Sequence, residues 1–151
     1  MTSRRTKARY RWLMGAVQLL FFVFFRHKAK QYAHVDREDL TPEDSPTTAL
    51  WAGASQSGLA APLSPTHLCM GFVRSVLYEI VYDDDLWGIR QSRRTQLVVA
   101  VAQIAVQRLI VGQSPGSRFN YDLGGCLGLL LYRTRYGLLG EPRGDEATEN
   151  Q

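Results

Sequence analysis

Leu97 to Val111, LVVAVAQIAVQRLIV, runs for fifteen residues with no turn signal and with apolar side chains on nearly every face of a helix. A strand rarely continues so far, so the stretch reads as helix. A helix that is apolar all round needs neighbours on every side to leave water. In a 151-residue chain, enough for one core and little more, this predicts an all-α bundle. Leu97–Val111 is then its central helix, wrapped by amphipathic ones. Gly112 to Gly116, GQSPG, ends the segment.

The neighbouring segments fit that plan. Thr66 after Pro65 is a suitable N-cap, and Leu68, Cys69, Phe72, Val73, Val76, Leu77, Ile80 and Val81 then recur at helical spacing to about Tyr82. A further helix is expected over Leu127–Tyr136, followed by a polar tail from Glu141 to Gln151. Residues 31–65 carry four of the six prolines and read as a long flexible loop, with a short helix near Ala49–Ser55. The organisation is therefore an N-terminal segment 1–30, a loop 31–65, a helical core 66–140 and a tail 141–151. Cys69 and Cys126 each sit in an apolar run, which predicts small buried thiols in a reducing compartment rather than a disulfide framework.

Residues 1–30 hold Arg4, Arg5, Lys7, Arg9, Arg11, Arg26, Lys28 and Lys30 and no acidic residue. Between these cations lies WLMGAVQLLFFVFF, Trp12–Phe25. The run is short of the ~20 residues of a membrane span and suits a buried helix or one lying in a membrane surface. Arg26, His27 and Lys28 stand where a signal peptide would need a small-residue cleavage site. The basic flanks favour an anionic cytoplasmic leaflet. Nucleic acid gains no support from aromatic-basic interleaving. One reading is thus a small membrane-associated accessory protein held by residues 12–25.

Chemistry is sparse. His27, His34 and His67 lie apart, and His67 with Cys69 falls short of metal-ligand spacing. No phosphate loop, nucleophile elbow or Cys/His pairing is present, so the expectation is a non-enzyme without metal or cofactor. Asp83, Asp84 and Asp85 follow the helix ending near Tyr82, and one of them is expected to cap the next helix.

Two stretches carry a resemblance, EIVYDDDLWGI (Glu79–Ile89) and FNYDLGGCLGLLLY (Phe119–Tyr132). In each, a helix is expected to give way at an acidic residue and glycine, where helices pack closely at a corner. The pair resembles the B-cell lymphoma-2 (Bcl-2) family of apoptosis regulators. Glu79, Ile80, Asp83, Trp87 and Gly88 stand at the spacing of the family's first homology motif, and Phe119, Asn120, Gly124 and Gly125 follow the frame of its second. The departures are Ile89 after the glycine with Arg90 one place late, Cys126 for a tryptophan, no Leu-x-x-x-Gly-Asp helix and no C-terminal anchor. Such erosion is similar to that of viral members, and a second frame sets Tyr132–Arg143 as the second motif, as in divergent herpesvirus members.

The resemblance implies an anti-apoptotic protein of the host-cell cytoplasm or intracellular membranes. A hydrophobic groove would receive the amphipathic helix of a pro-apoptotic partner. Phe72, Val76, Leu77, Val98 and Ala102 are the expected groove floor. Trp87 and Gly88 hold the corner, Arg90 meets a partner's acidic residue, and Gly124 and Gly125 complete the site.

Overall fold

The computed structural model describes residues 4–35, 41, 45–112 and 114–140. Among these residues are five α-helices and no strand: α1 (Arg4–Gln31), α2 (Pro46–Ala54), α3 (Pro65–Asp83), α4 (Arg93–Val111) and α5 (Pro115–Arg133). π-helical turns continue α2 over Ser55–Leu59 and α5 over Thr134–Leu139, and a 3-10 turn, Leu86–Gly88, leads from α3 towards α4. The class is the all-α bundle that the periodicity predicts. The acidic residues of 36–44 and the tail 141–151 lie outside the described residues.

Three of these helices open on a Ser-Pro pair: Ser45-Pro46, Ser64-Pro65 and Ser114-Pro115. Proline at the first helical position gives up an N–H that has no intrahelical acceptor, and its fixed φ already suits the helix. Ser45 Oγ accepts the Thr47 N–H at 3.4 Å. Ser64 Oγ instead meets His67 Nδ1 at 2.8 Å. Ser64 is therefore the cap position of α3 and not Thr66, because Pro65 is already helical. By the same signal α5 begins at Pro115 rather than Leu127, so Phe119–Tyr132 is continuous helix and not a corner. The expected loop holds α2 and its π-helical turn.

The crossing of α3 and α5 is the centre of the molecule. A Cβ added to Gly71 would lie 1.9 Å from the Tyr121 carbonyl oxygen, and one on Gly124 would lie 2.0 Å from that of Leu68. Backbone rests directly on backbone there, at a separation that only glycine permits. Gly125 is buried beside them. Gly124 and Gly125, expected in a partner site, thus stand at this crossing.

The inner face of α1 buries Ala8, Gly15 and Ala29, with Gly15 against Leu129 and Leu130 of α5 and Ala8 against Gly137 of the turn that follows it. Cys126 Sγ donates to the Gly15 carbonyl at 3.2 Å, Trp12 Nε1 donates to Thr134 Oγ1 at 2.9 Å, and the Phe22 ring meets Phe119 edge-on at 5.6 Å. Trp12–Phe25 is consequently half core, with its other face open. Cys69 is exposed on the outer side of α3, unlike the buried thiol expected.

The largest departure concerns α4. Leu97 is 66% exposed and Leu109 84%, so Leu97–Val111 is not the central helix. α5 has that position, packed by α1, α3 and the π-helical turns. Polar contacts hold α4 at the surface, with exposed Gln96 donating through Nε2 to the Ile89 carbonyl of the corner at 2.9 Å and Gln107 Nε2 reaching Asp122 Oδ1 of α5 at 3.2 Å. Most of its aliphatic side chains, Leu97, Val98, Val101, Ile104, Val106 and Leu109 among them, are exposed.

Candidate functional site

Asp83 closes α3, and the chain then turns through left-handed backbone at Asp85 (φ 49°), Trp87 (φ 62°) and Gly88 (φ 64°). Asp85 supports that turn: Oδ1 accepts the Arg90 N–H at 2.8 Å, and Oδ2 accepts from Gln91 Nε2 at 3.3 Å. The cap of α4 is Ser92, whose Oγ accepts the Thr95 N–H at 3.4 Å. An aspartate thus stabilises the junction, and a serine caps the helix after it.

Arg90 folds back on α3. Its Nε donates to the Tyr82 carbonyl at 2.8 Å, its Nη2 donates to the Asp83 carbonyl, and its guanidinium lies 5.3 Å from the centre of the Tyr82 ring. The last carbonyls of a helix lack intrahelical donors, and a basic side chain there supplies them. Arg90 is therefore a helix-ending group, not a cation held out for a partner. Trp87 is 78% exposed and stands free at the corner. A Cβ on Gly88 would meet nothing within 4 Å, so its positive φ, rather than close packing, calls for glycine.

Beneath the corner lies a buried charge network. Arg133 of α5 donates through Nη1 to Asp83 Oδ2 at 2.8 Å, through Nη2 to Asp83 Oδ1 at 2.9 Å, and through Nη2 to Glu79. Tyr132 Oη adds a bond to Asp83 Oδ2 at 3.2 Å. From α1, Arg11 Nη2 lies 2.9 Å from Glu79 Oε1, with its guanidinium 4.6 Å from the centre of the Tyr82 ring. Burial pushes the Glu79 carboxyl above its usual range, and the charges of Arg11 and Arg133 offset this only in part. Burial pulls the Arg133 guanidinium down, but its bonds to Asp83 and the charge of Glu79 outweigh that and leave it raised. Arg11 Nη1 is buried without a hydrogen-bond partner among the described residues.

Arg11 also lines a half-open cleft of about 370 Å³ between α3 and α4. Tyr78 and Tyr82 form its α3 wall, Gln96, Val99, Ala100 and Gln103 its α4 wall, and Ile89 closes the end at the corner. The structure thus sets a groove between the two helices expected to make one, but on other faces of both. Phe72 and Val76 are half-buried on α3, Leu77 is exposed, and Val98 and Ala102 point to solvent from α4. None of these five lines the cleft, and neither do Trp87, Gly88 and Arg90. The signal that finds the real walls is helical spacing: Tyr78 and Tyr82 are four apart, and Gln96, Val99, Ala100 and Gln103 fall on one stripe.

The arrangement offers aromatic and aliphatic walls, amide groups and one cation. Such a surface can hold a shape; it contains no nucleophile–base pair. A family model described as Domain of unknown function (DUF8097) matches residues 48–146, more than half of the chain, and takes in most of α2 and all of α3 to α5. No curated protein and no solved structure matches.

Proposed function

The chain belongs to that family, and from this premise we propose that it is a non-catalytic receptor for an amphipathic helix, bound in the cleft between α3 and α4. The observation that carries the reading is the half-open cleft itself, walled by Tyr78, Tyr82 and Val99 with the amides of Gln96 and Gln103 and the Arg11 side chain in its lining. A helix laid there would bury apolar anchors against Tyr78, Tyr82 and Val99 and turn one carboxylate towards Arg11, which is the helix-in-groove mode of recognition. The positive charge of Arg11 in the lining favours an acidic residue on that helix and so contributes register.

The resemblance of Glu79–Gly88 to the first Bcl-2 homology motif names the class of occupant: the amphipathic helix of a death-promoting protein. The chain is then an anti-apoptotic regulator that sequesters such helices. In this reading Arg11, from the opposite end of the sequence, does what the family's motif arginine does, because Arg90 is spent on the end of α3.

The test is titration of a panel of fluorescent death-promoting peptides against the full chain. We expect dissociation constants in the nanomolar-to-micromolar range, roughly −8 to −12 kcal/mol. Ala100→Glu, which sets a bulky anion on the cleft wall, should abolish binding while the helical circular dichroism stays unchanged. Peptides that bind Ala100→Glu as tightly as the wild type, or no binding across the panel, would remove the cleft from the function.

A further inference from the structure

A 28-residue helix with one face packed and the other open, save where Phe24 and Phe25 meet the Trp51 ring of α2, is the most exposed apolar feature of the N-terminal half. The packed stripe of α1 runs through Ala8, Gly15 and Ala29. Opposite it Leu13, Met14, Val17, Leu20, Phe21 and Phe24 project outward, from 38% exposed at Val17 to 69% at Leu20. At 100° per residue these six fall on one side of the helix, centred away from the packed stripe. Monomeric soluble proteins rarely leave a continuous patch of this kind uncovered.

Charge decides what covers it. α1 contains eight basic residues and no acidic one, with Lys7 and Arg9 before the apolar stripe and Lys28 and Lys30 after it. Two copies packed through this face would bring like charges together in either direction, since both ends are basic. An anionic surface has the complementary sign at both ends at once. Length fixes the orientation: Leu13–Phe25 spans only ~20 Å along the axis, less than the ~30 Å hydrocarbon core, so the helix lies in the interface rather than across it. No helix among the described residues is long and apolar enough to cross a membrane.

We propose that the outer face of α1 docks in plane on an anionic phospholipid surface, its aliphatic and phenyl groups among the acyl chains and its terminal lysines against the headgroups. The inner face stays on α5, so the bundle binds without unfolding, and the cleft of α3 and α4 has no part in the contact.

Flotation of the full chain with phosphatidylcholine vesicles, with and without phosphatidylserine, tests this. The wild type should float with the anionic vesicles and lose that binding as salt is raised. Lys7→Glu with Lys28→Glu, both polar positions outside the core, should lower vesicle affinity on the order of tenfold or more. Leu20→Asp with Phe24→Asp should abolish it while the helical circular dichroism is retained. Three results would each overturn the proposal: no flotation of the wild type, equal flotation on neutral vesicles, or unchanged flotation of the charge-reversed variant. A wild type that forms dimers dispersed by Leu20→Asp with Phe24→Asp, and that ignores vesicles, would assign the face to a second copy instead.

Discussion

Arg133 grips Asp83 with both ends of its guanidinium, Nη1 to Oδ2 at 2.8 Å and Nη2 to Oδ1 at 2.9 Å, across 50 residues of sequence and with both side chains out of water. The pair ties the end of α3 to the end of α5, and Glu79 shares the same guanidinium. Removing one member of a buried ion pair costs more than the pair itself contributes, because the survivors keep their desolvation penalty. Arg133→Met should therefore lose about 3–5 kcal/mol of stability in urea denaturation. A loss under about 1 kcal/mol would mean that water reaches Asp83 and Glu79 freely.

The same burial makes stability depend on pH. The Glu79 carboxyl is raised from its ordinary value of 4.5, chiefly by desolvation, so the folded protein holds this proton at a higher pH than the unfolded chain does. The stability contributed by the protonated form is complete below 4.5 and is lost as pH rises through the folded value. Glu79→Gln keeps a neutral side chain at every pH. Its melting temperature relative to wild type should therefore rise as pH goes from below 4.5 towards neutrality. The opposite trend would show that the two arginines over-compensate burial.

Glycines in this chain are not equivalent. Gly124→Ala would set a methyl 2.0 Å from the Leu68 carbonyl oxygen and force α3 and α5 apart, whereas a Cβ on Gly53 within α2 meets nothing within 4 Å. We expect Gly124→Ala to cost at least the ~1–3 kcal/mol typical of overpacking, and Gly53→Ala to stabilise by about 0.4–1 kcal/mol. Thermal melts of the two variants would reveal the contrast, and equal effects would place the crossing elsewhere.

The two thiols should differ as sharply. Cys69 is exposed, while Cys126 is buried, donates to the Gly15 carbonyl and has its pKa raised by desolvation. Since the thiolate is the reactive form, a thiol reagent at neutral pH should label Cys69 at once and Cys126 only after denaturant is added. Mass spectrometry of the digested protein distinguishes the sites. Prompt labelling of Cys126 would mean that α1 leaves α5 on that timescale.

Helical class was legible because Leu68 to Val81 and Leu97 to Val111 repeat apolar residues at helical spacing. The place of α4 was not, because composition states that a surface needs cover without stating whether this chain supplies it. Gln107 is the informative residue there, since it reaches Asp122 of α5 while Leu97, Val98 and Val101 stay exposed. Ser-Pro pairs marked three helix starts that apolar periodicity placed late or missed. The cleft was beyond sequence reading for a different reason. Its cation, Arg11, comes from α1, and no local pattern announces that it will meet Glu79 far along the chain.

The glycine crossing also limits how the molecule can move. Where side chains separate two helices, rotamer changes let one slide on the other; with Gly71 and Gly124 backbone meets backbone, and that lubricating layer is missing. α3 and α5 must then travel as a single beam, clamped at one end by Asp83 and Arg133. α4 hangs from this beam by the Arg90 corner and the Gln107–Asp122 bond. The mechanical freedom left to the cleft is a swing of α4 about its two ends, so its opening angle, rather than its floor, is what an occupant would set.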